Sequence, residues 1–255
     1  MKPLIVRNKN VILELLNLDL IDSVHILKSL DLDDKSRQII KLAKKRDVQI
    51  ILEKNISKMP KRRSNSGREV VYAKASPKNL FNFDELLDYI YQKDETPFFL
   101  LLNKVDIDLN ISVLLRLAHA TGINGVFIDD KPENIFNNEV LHVSLGALLK
   151  LPIVNMKLYY AISKIKKESI KLIALDMMGN SLFETNLKGP LAILLGSEKE
   201  GLNKELLSKA DEVLALPMRK DAESLNVSNS ASAVIYEKLR QESELSDYFN
   251  SVKLR

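Results

Sequence analysis

The stretch "EVLALPMRKDAESLNVSNSASAVIY" (residues 212–236) joins three different patterns within one short segment. An apolar run typical of a strand ends in Leu216, Pro217 and Met218, and a charged loop follows it. Polar residues then crowd the start of a predicted helix, which continues with small residues at 230–233. Helix capping requires one or two of these polar residues rather than all of them. The stretch therefore predicts one wall of a binding site, with small residues that allow close packing behind it.

Further strands precede this stretch in the chain. "FFLLLN" (98–103) is apolar enough for a strand buried on both faces, and "NGVFID" (124–129) has a similar pattern. "IKLIALD" (170–176) and "PLAILLG" (190–196) are also predicted strands, and helical segments separate them all. Strands that alternate with helices predict an α/β domain with a mostly parallel sheet.

The first part of the chain predicts a smaller α/β domain. Helical and extended patterns alternate up to a loop rich in Ser, Asn, Lys and Arg near residues 54–69, and a short strand comes next. A helix in "NLFNFDELLDYIYQKDETP" is predicted to close this domain before Pro97. We therefore expect two domains, at residues 1–92 and 97–255.

Composition limits the class of protein. Hydrophobic residues make up 45% and charged residues 28% of the 255 residues, which is typical of a globular protein. The absence of Cys excludes disulfides and thiolate catalysis, and it is compatible with a cytoplasmic location. Neither a membrane span nor a signal peptide is predicted. His25, His119 and His142 are too scattered to predict a metal site.

Basic residues are concentrated in the first domain. Residues 1–95 hold 19 Lys and Arg against 14 Asp and Glu, a balance of +5, whereas the remainder of the chain has a balance of −1. Such a patch attracts phosphate backbones, although charge alone leaves a solvated helix face as an alternative. The candidate residues for binding nucleic acid are Lys44, Lys45, Arg46, Lys61, Arg62, Arg63 and Arg68.

Three segments of the second domain are polar where a strand ends or a helix begins, which is where ligands bind in open α/β sheets. In "DLNISVLLRLAHATG", Asn110 is a plausible helix N-cap and Arg116 interrupts an apolar face. In "LAILLGSEKEGL", a buried strand stops at Gly196, and glycine permits close backbone approach. The third segment is the stretch at 212–236. No G-x-G-x-x-G or P-loop pattern is present.

Taken together, the three segments resemble the signature motifs of the SpoU/TrmH branch of the SPOUT methyltransferases. The motifs resembled are Asn-x-x-x-x-x-Arg, Gly-x-Glu-x-x-Gly and Ile-Pro-Met followed by Ser-Leu-Asn-Val-Ser. The matching positions are Asn110 and Arg116, then Gly196, Glu198 and Gly201, and finally 216–218 with 224–228. The resemblance covers residues 97–242. The first domain is similar to the L30e-like RNA-binding domain that precedes the catalytic domain in ribosomal members.

The resemblance implies a parallel-sheet domain with a deep trefoil knot, which forms a homodimer. It also implies transfer of a methyl group from S-adenosylmethionine to a ribose 2′-OH, without a metal. The implied catalytic residues are Asn110, Arg116, Glu198, Ser224 and Asn226. The implied cofactor-binding residues are Leu195, Gly196, Gly201, Leu216, Met218 and Leu225. Arg116 is expected to hold a phosphate and stabilise developing alkoxide charge, since guanidinium is a very weak base.

The sequence leaves the substrate open between rRNA and tRNA. The N-terminal domain favours rRNA, and analogy favours a guanosine of the 23S rRNA of the large subunit. Ser112 stands where the family usually has Gly, and Asn229 where a small or apolar residue is commoner. A non-catalytic RNA-binding protein that kept the knotted fold is the remaining alternative.

Overall fold

The computed structural model describes residues 1–28, 32–61, 68–105, 107–197, 200–219, 221 and 224–242. The chain forms two compact units and passes between them three times. The first unit consists of Met1–Asn79 and Glu133–Lys150, and the second consists of Leu80–Pro132 and Leu151–Arg255.

A four-stranded sheet forms the centre of the first unit. Its strands are β1 (Leu4–Val6), β2 (Ser23–Leu27), β3 (Gln49–Glu53) and β4 (Val71–Ala75). They lie in the order β1-β4-β2-β3, with β2 and β3 parallel and β4 antiparallel to both of its neighbours. Helix α1 (Lys9–Asn17) follows β1, and helix α2 (Asp34–Lys45) connects β2 to β3. The predicted alternation of helical and extended segments is therefore confirmed in this unit.

A segment from the second half of the sequence completes the first unit. It contains most of α5 (Pro132–Ile135), helix α6 (Asn138–Val143) and a short 3₁₀ turn at Ala147–Leu149. The Asn138 side chain accepts a hydrogen bond of 2.7 Å from the backbone N–H of Ile5 in β1. The buried Lys150 Nζ lies 2.6 Å from Glu14 Oε1 on α1. Residues 133–150 therefore belong to the first unit, although more than 50 residues separate them from it in sequence.

A seven-stranded sheet forms the centre of the second unit. Its strands are β5 (Leu80–Phe81), β6 (Phe98–Leu102), β7 (Gly125–Ile128), β8 (Ile153–Asn155), β9 (Lys171–Ser181), β10 (Leu191–Leu195) and β11 (Glu212–Ala215). The order is β11-β9-β10-β6-β7-β8-β5, and each neighbouring pair in the described part of the chain runs parallel. This confirms the predicted parallel α/β fold. The trefoil knot stays a prediction.

Helices cover the second sheet. They are α3 (Phe83–Tyr91), α4 (Ser112–Ala120), α7 (Leu158–Lys167), α8 (Lys204–Lys209) and α9 (Val227–Glu242). One apolar cluster joins α3, α7 and α8 to the sheet, with the buried rings of Phe99 and Phe127 5.1 Å apart between centroids. Helices α4 and α9 contact each other. None of the helices in the described ranges is long and apolar enough to cross a membrane.

The units divide at a different place from the predicted linker at residues 92–97. Strand β5 pairs with β8 of the second sheet, and Leu80 lies opposite Ile153. Helix α3 buries Phe83, Leu86 and Ile90 in the cluster on that sheet. The packing therefore differs from the predicted domain end at residue 92, because the apolar face of α3 is buried on the sheet that follows it.

Strand β9 contains a long irregularity, which we call the β9 bulge (residues 175–179). Ala174 is paired with Val213 of β11, but the next pair joins Asn180 to Leu214. The ladder between β9 and β10 also ends at Ala174. The bulge therefore has no ladder partner on either neighbouring strand, which frees its backbone for other contacts.

Candidate functional site

A cavity of about 580 Å³ opens where β9, β10 and β11 end and α9 begins. Its lining residues are 175–177, 195–197, 200–201, 214–216, 218, 224–227 and 230. The volume lies in the ordinary range for small-molecule sites. The position matches the rule that ligands of open α/β sheets bind beyond the carboxyl ends of the strands.

The structure brings most of the predicted site residues together at this cavity. All six predicted cofactor-binding residues line it, as do two of the predicted catalytic residues. They are Leu195, Gly196, Gly201, Leu216, Met218 and Leu225, together with Ser224 and Asn226. Their individual roles stay predictions.

The turn after β10 is closed by its own backbone. Gly201 N–H donates a hydrogen bond of 2.9 Å to the carbonyl of Ser197, and Ser197 Oγ accepts one of 3.0 Å from Glu200 N–H. A Cβ on Gly196 would lie 2.4 Å from the carbonyl carbon of Gly201. Glycine is required at 196 because the two arms of the turn touch there.

Asn226 caps helix α9. Its carbonyl accepts from the backbone N–H of Ser230 at 3.0 Å, and its Oδ1 accepts from the N–H of Ser228 at 2.9 Å. The Ser228 hydroxyl donates to the same oxygen at 2.5 Å. Asn226 Nδ2 then donates to Asn110 Oδ1 at 3.0 Å. One side chain thus fixes the helix start and links it to the first predicted motif.

Asn110 is not the N-cap of α4, which corrects the sequence-based expectation. It lies in a π-helical turn, Ile107–Ile111, that runs directly into α4. Ile111 occupies the capping position with helical backbone angles and no side-chain cap. Because the helical backbone begins before Asn110, its side chain is available to Asn226 instead. Single π turns of this kind are frequent at functional sites.

The remaining catalytic candidates are placed differently. Arg116 is exposed on α4 and is not part of the cavity lining. With the described residues its side chain forms no hydrogen bond or ion pair. Glu198 lies outside the described residues. The structure therefore brings Asn110, Asn226 and Ser224 to one end of the cavity region, with Arg116 facing solvent.

The candidate RNA-binding residues of the first unit are of two kinds. Lys44, Lys45 and Lys61 are exposed. Arg46 pairs with Asp19 at 3.2 Å. Nη1 of Arg68 donates hydrogen bonds of 2.9 and 2.6 Å to the backbone carbonyls of Ser57 and Met59. Part of the Arg68 side chain therefore supports the 57–59 turn. Arg62 and Arg63 lie outside the described residues.

The described part of the cavity wall carries two acidic side chains. Among its described lining residues the ionisable side chains are Asp176 and Glu200. Glu200 is largely exposed and lies 3.4 Å from Lys104. No described lining residue is a cation. In the described part of the chain no cluster of His, Asp and Glu could hold a metal ion.

Sequence reasoning missed the β9 side of the cavity. Leu175, Asp176 and Met177 line it, yet the pattern "IALD" predicts only the end of a strand. A signal was available in "DMMG", because an Asp and a Gly interrupt an otherwise apolar segment. A Cβ on Gly179 would lie 2.6 Å from the carbonyl carbon of Leu214, so this glycine allows the bulge to close on β11.

The first unit holds a buried polar cluster that sequence reasoning also missed. His25 Nδ1 lies 2.9 Å from Glu53 Oε1, and its Nε2 lies 3.1 Å from Ser23 Oγ. Tyr72 stacks on the imidazole with ring centroids 4.4 Å apart. Burial and the Glu53 charge raise the pKa of Tyr72. Ser23 and His25 are buried, so this cluster stabilises the sheet and offers no accessible nucleophile.

Fold and site together define an α/β protein with a parallel sheet and a small-molecule cavity at the carboxyl ends of its strands. Residues 97–236 match the model of the SpoU rRNA Methylase family. That match covers more than half of the chain, and the chain belongs to this family. It is therefore an RNA methyltransferase.

Individual relatives agree with this membership. The chain is 28% identical over 212 residues to the TrmH family protein YacO of Bacillus subtilis, covering 81% of this chain and 83% of YacO. It is 31% identical over 176 residues to the 23S rRNA (guanosine-2′-O-)-methyltransferase RlmB of Ralstonia nicotianae, covering 68% and 70%. The fold is shared with the SpoU methyltransferase AviRb of Streptomyces viridochromogenes in complex with AdoMet. The TM-score is 0.73, with 21% identity, and the match covers 94% of this chain and 90% of AviRb.

Proposed function

We propose that the protein transfers the methyl group of S-adenosylmethionine to the 2′-OH of a guanosine in 23S rRNA. The observation that carries this proposal is the cavity at the ends of β9, β10 and β11, in which the predicted donor-binding residues of the family meet. The names of the RlmB relatives support the choice of 23S rRNA guanosine as substrate. We also propose that the protein is located in the cytoplasm, where its rRNA substrate is made.

The cavity suits the donor chemically. Its volume of about 580 Å³ can hold a folded nucleoside with an amino-acid side arm. Leu175, Leu216 and Leu225 line the cavity with partly exposed side chains and offer apolar surface for a purine ring. S-adenosylmethionine supplies a methyl group on a positively charged sulfur. When the methyl group is transferred, the neutral thioether of S-adenosylhomocysteine is released, and it is a good leaving group. The two acidic side chains among the described lining residues, Asp176 and Glu200, are compatible with the positive charge on the donor sulfur.

The protein's own residues mainly position and polarise the acceptor. The Asn226–Asn110 hydrogen bond fixes two amides beside the start of α9, where a ribose hydroxyl can be held. The Arg116 guanidinium forms no hydrogen bond or ion pair with the described residues, and it is suited to a phosphate of the RNA and to the alkoxide charge that develops on the 2′-oxygen. Glu198 and Ser224 complete the proposed catalytic group.

Arg116 lies outside the cavity lining of its own chain, and a homodimer accounts for this. Side chains near Arg116 and on α9 are apolar and exposed, with Leu109 66%, Val113 38% and Tyr236 55% exposed. Helices α4 and α9 contact each other, so such residues form a plausible dimer surface on the second unit. We propose that dimerisation through this surface completes the site.

The first unit is proposed to bind RNA as an L30e-like domain. Lys44, Lys45 and Lys61 are exposed and unpaired among the described residues, which suits contacts with phosphates. Arg68 supports the 57–59 turn through its two hydrogen bonds to backbone carbonyls. The name of YacO includes both tRNA and rRNA, so tRNA is the second candidate substrate.

The proposal is tested with methyl-labelled S-adenosylmethionine, unmodified rRNA and unmodified tRNA, followed by digestion of the RNA to nucleosides. We expect label in 2′-O-methylguanosine from 23S rRNA. An Arg116→Ala variant should lose at least tenfold in turnover while it keeps its RNA affinity, because one charged contact to the developing negative charge is removed. Lys188→Ala is a matched control, since Lys188 is a solvent-exposed cation outside the cavity lining.

Label in tRNA alone would support the proposed reaction but contradict the proposal that 23S rRNA is the substrate. RNA binding without any transfer of label would instead support the non-catalytic alternative.

A further inference from the structure

We propose that Asp176 is a specificity-determining residue of the donor site, whose carboxylate accepts hydrogen bonds from the two ribose hydroxyls of the bound nucleoside. This inference rests on the proposed function, because it takes the ligand of the cavity to be S-adenosylmethionine. It concerns the β9 bulge, which lies outside the three sequence motifs.

The backbone brings Asp176 to the cavity. The ladder from β9 to β10 ends at Ala174, and the ladder from β9 to β11 is interrupted there and resumes at Asn180. The next three residues line the cavity, whereas in a regular strand alternate residues would point to opposite faces. The irregular backbone therefore exposes Asp176 to the same space that Gly196 and Leu216 line from β10 and β11.

Half of the Asp176 carboxylate holds the bulge in shape. Its Oδ1 accepts a hydrogen bond of 2.9 Å from the backbone N–H of Met178. Its Oδ2 accepts none from the described part of the chain. An ionised carboxylate is an acceptor only, so the side chain is oriented and still has several lone pairs to offer a ligand.

The chemistry of the proposed donor indicates which of its groups contacts the Asp176 carboxylate. A carboxylate needs donors, and a nucleoside offers two adjacent ribose hydroxyls that one carboxylate can receive together. An acidic side chain near a strand end that binds a ribose hydroxyl is also the arrangement found in dinucleotide-binding sheets. The other anionic lining residue, Glu200, is 72% exposed and already near Lys104, so it is the poorer candidate.

The test measures dissociation constants of the full-length protein by titration calorimetry. The variant is Asp176→Asn, which keeps an oxygen for the Met178 N–H and so preserves the bulge, but turns an amide N–H₂ toward the ligand. We expect affinity for S-adenosylmethionine, S-adenosylhomocysteine and 5′-methylthioadenosine to fall by about tenfold each, because all three carry the ribose hydroxyls. Asp221→Asn is the matched control, since Asp221 is an exposed acid outside the cavity lining.

A second measurement isolates the hydroxyl contact. Wild type and Asp176→Asn are each titrated with S-adenosylhomocysteine and its 2′-deoxy analogue. Wild type should discriminate between the two ligands by about tenfold, and the variant should discriminate much less, since the two changes remove the same contact. Equal discrimination by both proteins would overturn the proposal.

The remaining outcomes are also decisive. A loss confined to S-adenosylmethionine would mean that Asp176 senses the sulfonium charge. A loss that spares 5′-methylthioadenosine would place Asp176 at the amino-acid arm. Either result overturns the ribose assignment. Failure of the wild type to bind S-adenosylmethionine would overturn the proposed function itself, whereas normal wild-type binding with an unaffected variant overturns only the role of Asp176.

Discussion

At the scale of single residues, the cavity depends on positions where a side chain would meet backbone. Gly196 is such a position, because a Cβ there would lie 2.4 Å from the carbonyl carbon of Gly201. Backbone cannot move aside as a flexible side chain can, so the turn itself must open. The motif glycine is thus explained by contact within the protein before any ligand is considered.

We therefore expect Gly196→Ala to lower the free energy of unfolding by about 1–3 kcal/mol, the usual effect of overpacking. Because the displaced turn lines the cavity, affinity for S-adenosylmethionine should fall at least tenfold. Chemical denaturation and calorimetric titration measure the two effects. Gly122→Ala is the control: its φ of +77° strains an alanine, but apart from the adjoining residues no described atom lies within 4 Å of the added Cβ, and Gly122 does not line the cavity. Unchanged donor affinity in Gly196→Ala would contradict the explanation.

At the scale of elements, hydrogen bonds join the C-terminal end of α9 to the segment that precedes β10. The buried Lys238 donates to the carbonyls of Leu187 and Gly189 at 3.1 and 2.7 Å, and Gln241 donates to Thr185 O at 2.9 Å. Burial lowers the pKa of Lys238. Glu237 organises this end of the helix, since it accepts from Arg240 and from Gln241. The helix that starts at the site is therefore held at its far end by polar contacts.

The contacts of Glu237 at this end of α9 predict that the free energy of unfolding depends on pH. Hydrogen bonds from Arg240 hold the pKa of the Glu237 carboxyl below its usual 4.5. The stabilisation is fully present above the unfolded-state pKa and is lost as the pH falls through the lower folded-state pKa. We expect the free energy of unfolding to decrease from pH 5 to pH 3, and Glu237→Gln to decrease less over that interval. Glu168→Gln, at an exposed position, should follow the wild type. Parallel curves for wild type and Glu237→Gln would contradict the assignment.

At the scale of the whole molecule, the two units do not follow the sequence in blocks. Residues 133–150 lie within the family match yet complete the first unit, and residues 80–92 precede that match yet complete the second. Both arrangements arise because apolar side chains are buried wherever a complementary surface exists. The chain therefore crosses between the units three times.

Truncation tests this division. A chain of residues 80–255 keeps β5 and α3, whereas a chain of residues 97–255 lacks both and exposes the surface that Phe83, Leu86 and Ile90 cover. Burial of each such side chain stabilises by about 1.5–3 kcal/mol. We expect the shorter chain to unfold at a much lower temperature or to be insoluble, as measured by calorimetry. Each truncation removes residues 1–79, so each is the control for the other. Equal stability would restore the predicted boundary at residues 92–97.

Local sequence patterns were enough to predict the order and kind of most elements and, among the described segments that line the cavity, all except the β9 bulge. Strand and helix periodicities are local, and motif residues such as Gly196 and Asn226 stand out within their own short segments. The tertiary structure decided what depends on distant partners: the side on which α3 is buried, the place of residues 133–150 and the exposure of Asp176 by the β9 bulge. A bulge exists only relative to its neighbouring strands, and burial only relative to a covering surface. Neither can be read from one segment of sequence.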